Sequence, residues 1–343
     1  MRLRAGLTVL WRGPTEVQVG TDPRWAVALT DLSPSAARAL AGAPAGAGER
    51  ELRAALGSED VDDAEVDAVL AHLRAARLLV HEHRPVARCT LTAADQQAWA
   101  LLDADGDPAT VAGRRATARV RVEGLGRLGA ALSATLATAG IGLLELGDPG
   151  TVTAHEVGFG GLTSGDVGIP RPAAVGRAVR DAGPRVRTGT AGTGPVDLVV
   201  LVETAAADPV RYDALLTAGQ PHLSVVLREA SVLVGPLVLP GRTACLRCVD
   251  LHRTDRDPTW PRLAAQLASA AAGRARGEET LLAATGAAIA AAQVLAHVDG
   301  RPAVVHDAAL EVALPAALPT RTTWAPHRLC RCGAVVGRRA AVR

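Results

Sequence analysis

The chain has 343 residues, 48% hydrophobic and 21% charged, with a formal net charge of +2. That length suits two or three cored domains, and so small a net charge singles out no partner class. All 37 basic residues are Arg, with no Lys and no Asn anywhere, and Phe, Tyr and Met occur once each. This bias is that of a GC-rich bacterial genome. It excludes any mechanism built on a Schiff-base or Walker-type lysine.

The first 30 residues hold three strand-like pieces, "LTVLW", "EVQVG" and "WAVAL". They lack the apolar run and cleavage site of a signal peptide. Ser33-Pro34 predicts an N-cap and first turn of a helix to about Ala41. Val66, Val69, Leu70 and Leu73 recur at i, i+3, i+4 and i+7, predicting a second helix over 62–77 with one apolar face. "RLLVHEH" (77–83) follows as a strand. Residues 1–85 thus suit a small winged-helix domain or an α+β extension of the main domain. Residues 86–117, which contain "DADGDPATVAGRRA", are rich in turn formers and form the expected linker. Their acidic spacing is no calcium loop, because Arg114 stands where the twelfth-position Glu belongs.

From 118 the pattern turns to strand, turn, helix, strand. "ARVRVEG", "IGLLELGD", the buried run "PVDLVVLVET", "PHLSVVLRE" and "VLVGPLVLPG" predict an α/β domain with a largely parallel sheet. A helical region covers about 261–297. Its apolar run 280–296 is short and weakly apolar for a membrane span, so a buried helix is expected. No Gly-x-Ser-x-Gly elbow occurs, and arginine is scattered rather than striped, which argues against nucleic acid.

Two constellations carry chemistry. Gly124-x-Gly126-x-x-Gly129 lies between a strand and a helix, where such glycines allow a tight turn, close phosphate approach and close packing. Asp148 ends the next strand, 24 residues after Gly124, at the usual place of a ribose-binding acid. Cys245-x-x-Cys248 and Cys330-x-Cys332 offer four thiolates 81 residues apart. In a reducing cytoplasm such pairs suggest a closed tetrahedral zinc site stapling distant segments. A redox disulfide is the alternative, though "CLRC" does not open the first helix after a strand. Cys89 reads as a structural thiol, and His252 and His327 as packing or outer-shell groups.

Residues 118–335 resemble the ThiF/MoeB superfamily of ubiquitin-activating-like adenylyltransferases. The match rests on "GLGRLG", "LELGD", "DVGIPRPAA", "VDLVVLVET", "PLVLPGRTACLRC", "ATGAAIAAAQVLAHVDG" and "HRLCRC". With the N-terminal stretch, the chain resembles the ThiF-like partners of YcaO cyclodehydratases, whose PqqD-like winged helix binds the leader of a ribosomal peptide. The resemblance implies a homodimeric, cytoplasmic α/β protein: a peptide-recognition domain (1–85), a linker (86–117) and a ThiF-type Rossmann-like domain (118–343) with structural Zn²⁺ on the four cysteines. It also implies a precursor peptide and a YcaO-type enzyme as partners.

The departures imply lost catalysis. The second acid of the family's Asp-x-Asp pair is Gly150. "TAHEVGFGGLTSG" lacks the Asn and Arg of an Asn-Leu-x-Arg-Gln run. Arg171 replaces a lysine, and an Arg fork does not substitute for a point charge. Glu203, Thr204 and the late Asp208 stand where an aspartate belongs after the third strand. Without the metal-binding acid and its clamp, little would stabilise the charge that adenylation develops. Gly124, Gly126, Gly129, Asp148 and Arg171 are therefore read as a vestigial nucleotide site without ATP turnover. A leader would add as a strand beside "EVQVG" or "WAVAL", with the 62–77 helix as the other wall. By alternation Val17, Val19, Trp25 and Val27 are its candidate contacts, or else core. The rival readings are an active adenylyltransferase of a peptide or sulfur-carrier C-terminus and a purely structural homodimer.

Overall fold

The structure is a computed structural model that describes residues 1–4, 6–81, 93–102, 108–183, 185–271 and 278–333. It divides into two compact units, Met1–Ala112 and Gly113–Arg343. Cys89 lies outside the described residues.

The first unit opens with strands β1 (Arg2–Leu3), β2 (Val9–Gly13), β3 (Glu16–Val19) and β4 (Val27–Leu29). Helices α1 (Pro34–Ala41), α2 (Glu49–Ser58) and α3 (Asp63–Ala75) follow, then β5 (Leu79–Val80). β2, β3 and β4 form an antiparallel sheet with β3 in the middle, while β5 returns to pair with β1. Ser33 caps α1 as expected, its Oγ accepting the Ala36 N–H at 3.1 Å, a bond worth about 1 kcal/mol. The expected stripe on α3 is buried at Val66, Val69, Leu70 and Leu73. α2 is not anticipated by the sequence pattern. It buries only Leu52 and Leu56, and Glu51 bonds back to the Gly48 N–H at 2.7 Å, so a short capped helix suffices with two apolar anchors. The stretch read as a linker contains helices α4 (Ala93–Leu102) and α5 (Pro108–Thr117).

In the second unit the chain runs β6 (Arg119–Glu123), α6 (Arg127–Thr138), β7 (Leu143–Gly147), α7 (Arg171–Ala182), β8 (Arg187–Thr190), β9 (Leu198–Thr204), α8 (Pro209–Thr217), β10 (His222–Leu227) and β11 (Ser231–Val238). Then come α9 (Leu246–Arg256), α10 (Trp260–Ala271), α11 (Thr280–Val298), β12 (Ala308–Ala313) and β13 (Pro319–Thr323). The sheet order is β13-β12-β11-β10-β9-β6-β7-β8. The five strands from β10 to β8 are parallel, and β11 to β13 continue antiparallel. The chain winds outward from β6 to β8, then crosses to β9 on the other side of β6. The crevice between β6 and β9 is thus a topological switch point, where open α/β sheets place ligands.

β9 is buried from Leu198 to Glu203 because helices cover both faces of the sheet. α6, α7 and α11 share one core with the sheet, and Tyr212 of α8 and Leu246 of α9 pack on Val199 and Leu201 from the other side. α11 is long and apolar enough to cross a membrane. Here it is a core helix, as expected, with Leu282, Ala283, Gly286, Ala287, Ala290, Ala291 and Val294 buried. Gly286 lets α6 and β11 close on it: a Cβ there would stand 2.8 Å from Leu128 Cδ1 and 3.0 Å from Val232 Cγ2.

Candidate nucleotide, metal and peptide sites

The glycine turn follows β6 at the switch point. Gly124 has φ +97°, and a Cβ there would lie 2.1 Å from the Val202 carbonyl oxygen of the neighbouring strand. Only glycine fits both constraints. A Cβ on Gly129 would lie 2.0 Å from the Gly124 carbonyl, so this glycine draws the first turn of α6 onto the end of β6. Gly126 is the N-cap of α6 and supplies no side-chain cap. The free amides of that first turn are met elsewhere. Asp148 Oδ2 accepts the Leu125 N–H at 2.8 Å, and Glu278 Oε2 accepts the Leu128 N–H at 2.6 Å. Glu278 Oε1 would lie 2.0 Å from a Cβ at Gly126.

The cations of this rim are engaged within the chain, two of them by acids. Arg171 reaches Asp148 Oδ1 at 3.0 Å and Glu156 Oε1 at 2.8 Å. Arg211 spans Glu123 at 2.7 Å and Glu203 at 2.9 Å. Arg127 donates to the Glu278 main-chain oxygen at 2.8 Å and to Thr280 Oγ1 at 2.9 Å. Burial pushes the Glu203 carboxyl up to about 7, against the opposing pull of Arg211. Among the described residues its Oε2 has no hydrogen-bond partner. Asp208 is an N-cap: its Oδ1 accepts the Val210 N–H of α8 at 2.9 Å. Glu156 and Glu278 are the contributors that sequence reasoning missed. The first hides in "TAHEVG", and the second stands 150 positions from the amide it meets.

The four paired cysteines converge. Cys245 Sγ lies 3.7 Å from Cys248 Sγ and 3.6 Å from Cys330 Sγ, and Cys248 lies 3.8 Å from Cys332. Zinc–sulfur bonds of about 2.3 Å at tetrahedral angles give sulfur–sulfur edges of about 3.8 Å. All four Sγ atoms lie within 4.8 Å of one another, so the thiols could hold one metal ion. Cys248 is pulled down to about 4, chiefly by the Cys245 thiol that donates to it. Asp307 aligns the two cysteine segments: its Oδ1 accepts the Ala244 N–H at 2.6 Å and its main-chain oxygen accepts Trp324 N–H at 2.7 Å. Beside the thiols, His327 Nε2 bonds Asp255 at 2.8 Å and His252 Nε2 bonds the Ala325 oxygen at 2.9 Å. Both histidines thus pin the loop that carries Cys330.

In the first unit the peptide candidates separate. Val17 and Val19 are 0% and 1% exposed, in a strand paired on both edges. A peptide therefore cannot add beside "EVQVG", and these two valines are core. Val27 lies on β4 at the side of the sheet, and Trp25 lines a cleft of about 500 Å³ with Leu7, Leu10, Leu101 and Leu102. The Arg24 guanidinium stacks on Trp25 at 4.3 Å. The α4 wall of this cleft falls in the stretch read as linker, so no apolar periodicity in 62–77 could have found it.

No family model matches the chain, and no curated protein matches it. Solved structures do. Escherichia coli MccB with ATP superposes with a TM-score of 0.69 at 14% identity, over 96% of this chain and 98% of that one. The microcin C7 biosynthetic enzyme MccB in complex with N-formylated MccA gives 0.69 at 14%, again over 96% and 98%. PaaA gives 0.70 at 16%, over 92% and 98%. The chain shares the fold of these proteins. Such coverage means that the architecture of both units recurs in these proteins.

Proposed function

We propose that the chain is a non-adenylating ThiF-like scaffold that captures a precursor peptide and presents it to a YcaO-type cyclodehydratase. The observation that carries this reading is the rim of the glycine turn. Arg171 is held by Asp148 and Glu156, Arg211 is held by Glu123 and Glu203, and Asp208 is spent capping α8. A triphosphate with Mg²⁺ needs free cations and a metal-binding acid at such a rim. Peptide capture is supported by the fold neighbour MccB, solved with its peptide MccA. The first unit is read as a winged-helix-type recognition module. The peptide lies in the cleft of Leu7, Leu10, Trp25, Leu101 and Leu102, and its backbone extends the sheet along an outer strand. The four cysteines hold one structural Zn²⁺.

A second reading, an active adenylyltransferase, is favoured by the retained glycine turn and by the MccB structure with ATP. One pair of measurements on the full chain decides. Titration with the short peptide encoded beside its gene should saturate at micromolar Kd or tighter, about −8 kcal/mol, and Trp25→Ala should weaken it at least about tenfold. ATP with Mg²⁺ should give no pyrophosphate exchange, with or without peptide. Exchange at enzyme-like rates overturns the scaffold reading, and absence of saturable binding overturns the peptide assignment.

A further inference from the structure

We propose that Glu278 is a built-in anion that occupies the phosphate position of the glycine turn. This rests on the non-adenylating reading and says how the site is kept empty of nucleotide. A glycine turn leading into a helix N-terminus presents backbone N–H groups and the positive end of the helix dipole to an anion. Gly126 exists in such turns so that the anion can come against the backbone. Here the space over Gly126 is filled by Glu278 Oε1, and the partner oxygen takes the Leu128 N–H at 2.6 Å.

Arg127 sits at the first turn of α6 and holds the Glu278 main chain, fixing where the side chain starts. Burial pushes the Glu278 carboxyl above the usual carboxylate range and Glu156 adds to this, while the Leu128 N–H, Arg171 and Arg127 pull it down. The carboxylate is thus not a passive surface acid. It is half-buried at a helix N-terminus whose backbone geometry favours a phosphate oxygen. A phosphate and Glu278 cannot share that place, because both need the Leu128 N–H and the space above Gly126.

The test uses the full chain and its Glu278→Ala and Glu278→Gln variants, titrated with inorganic phosphate and with AMP while the Leu128 amide resonance is followed. The wild type should show no saturable shift. Glu278→Ala should bind phosphate at least about tenfold more tightly than the wild type, with the Leu128 resonance moving most. Glu278→Gln keeps the size and loses the charge, so it should show a smaller gain at the same amide. Wild-type binding equal to that of Glu278→Ala would overturn the proposal, as would a folded Glu278→Ala whose Leu128 amide ignores phosphate. If Glu278→Ala does not unfold cooperatively, Glu278→Gln decides, and its failure to gain affinity over the wild type has the same consequence. Pyrophosphate exchange by the wild type would instead remove the non-adenylating reading, so the two ideas fail separately.

Discussion

The glycine turn and the cysteine cluster are both written in the sequence as spaced residues, yet they retain different things. At the cysteines four sulfurs lie within 4.8 Å of one another, three of their separations at the edge length of a tetrathiolate site. At the glycine turn it is the backbone that is tightly constrained. Gly124 still has no room for a Cβ, while the charges around it have been turned inward onto one another. The difference teaches that packing alone can fix a backbone motif, whatever its ligand chemistry. A thiol cluster has no such second use, since four clustered thiols without a metal gain little from being neighbours.

The sharpest test of this contrast is at the metal cluster. Cys248→Ser should remove about one equivalent of zinc and several kcal/mol of folding energy, seen as a fall in Tm of roughly 10 °C or more. Wild-type protein without zinc, together with an unchanged Tm in the variant, would show that the cluster holds no structural metal. Next in size is Gly124→Ala. Its φ of +97° and the 2.1 Å approach to the Val202 oxygen leave no cheap adjustment. The expected loss is about 3 kcal/mol, read by thermal denaturation, without any nucleotide-dependent phenotype. The smallest effect is pH-dependent. Glu203 has a folded-state pKa raised from 4.5 to about 7 by burial. Its neutral form is favoured on folding, so this stability is fully present below pH 4.5 and is lost as pH rises through about 7. Glu203→Gln should therefore gain on the wild type by roughly 2–3 kcal/mol between pH 5 and pH 8. Parallel Tm–pH curves for the two proteins would show that Arg211 already offsets the burial.

The sheet, the glycine turn and the cysteine cluster were legible because each is signalled locally. "LVVLVE" reads as a doubly covered strand, and two cysteine pairs read as a staple wherever they meet. α2 was not legible, because two leucines in ten residues make no convincing stripe. The closing of the rim was not legible either. Glu278 and Leu128 are 150 positions apart, and nothing near either residue announces the other. The Val17 and Val19 expectation failed for a related reason. Alternation tells which residues share a face, but only the pairing of β2 and β4 on either side of β3 tells which edge is closed.

Helix α11 has one more consequence, in the order of synthesis. Its nineteen residues could pass for a membrane span while unpaired. The surfaces that bury it, on α6 and β11, lie upstream and have left the ribosome before Thr280 emerges. Of its sheet neighbours, β12 alone is still to come. A nascent chain of this design need never display its most apolar helix to the membrane-targeting machinery for longer than docking takes.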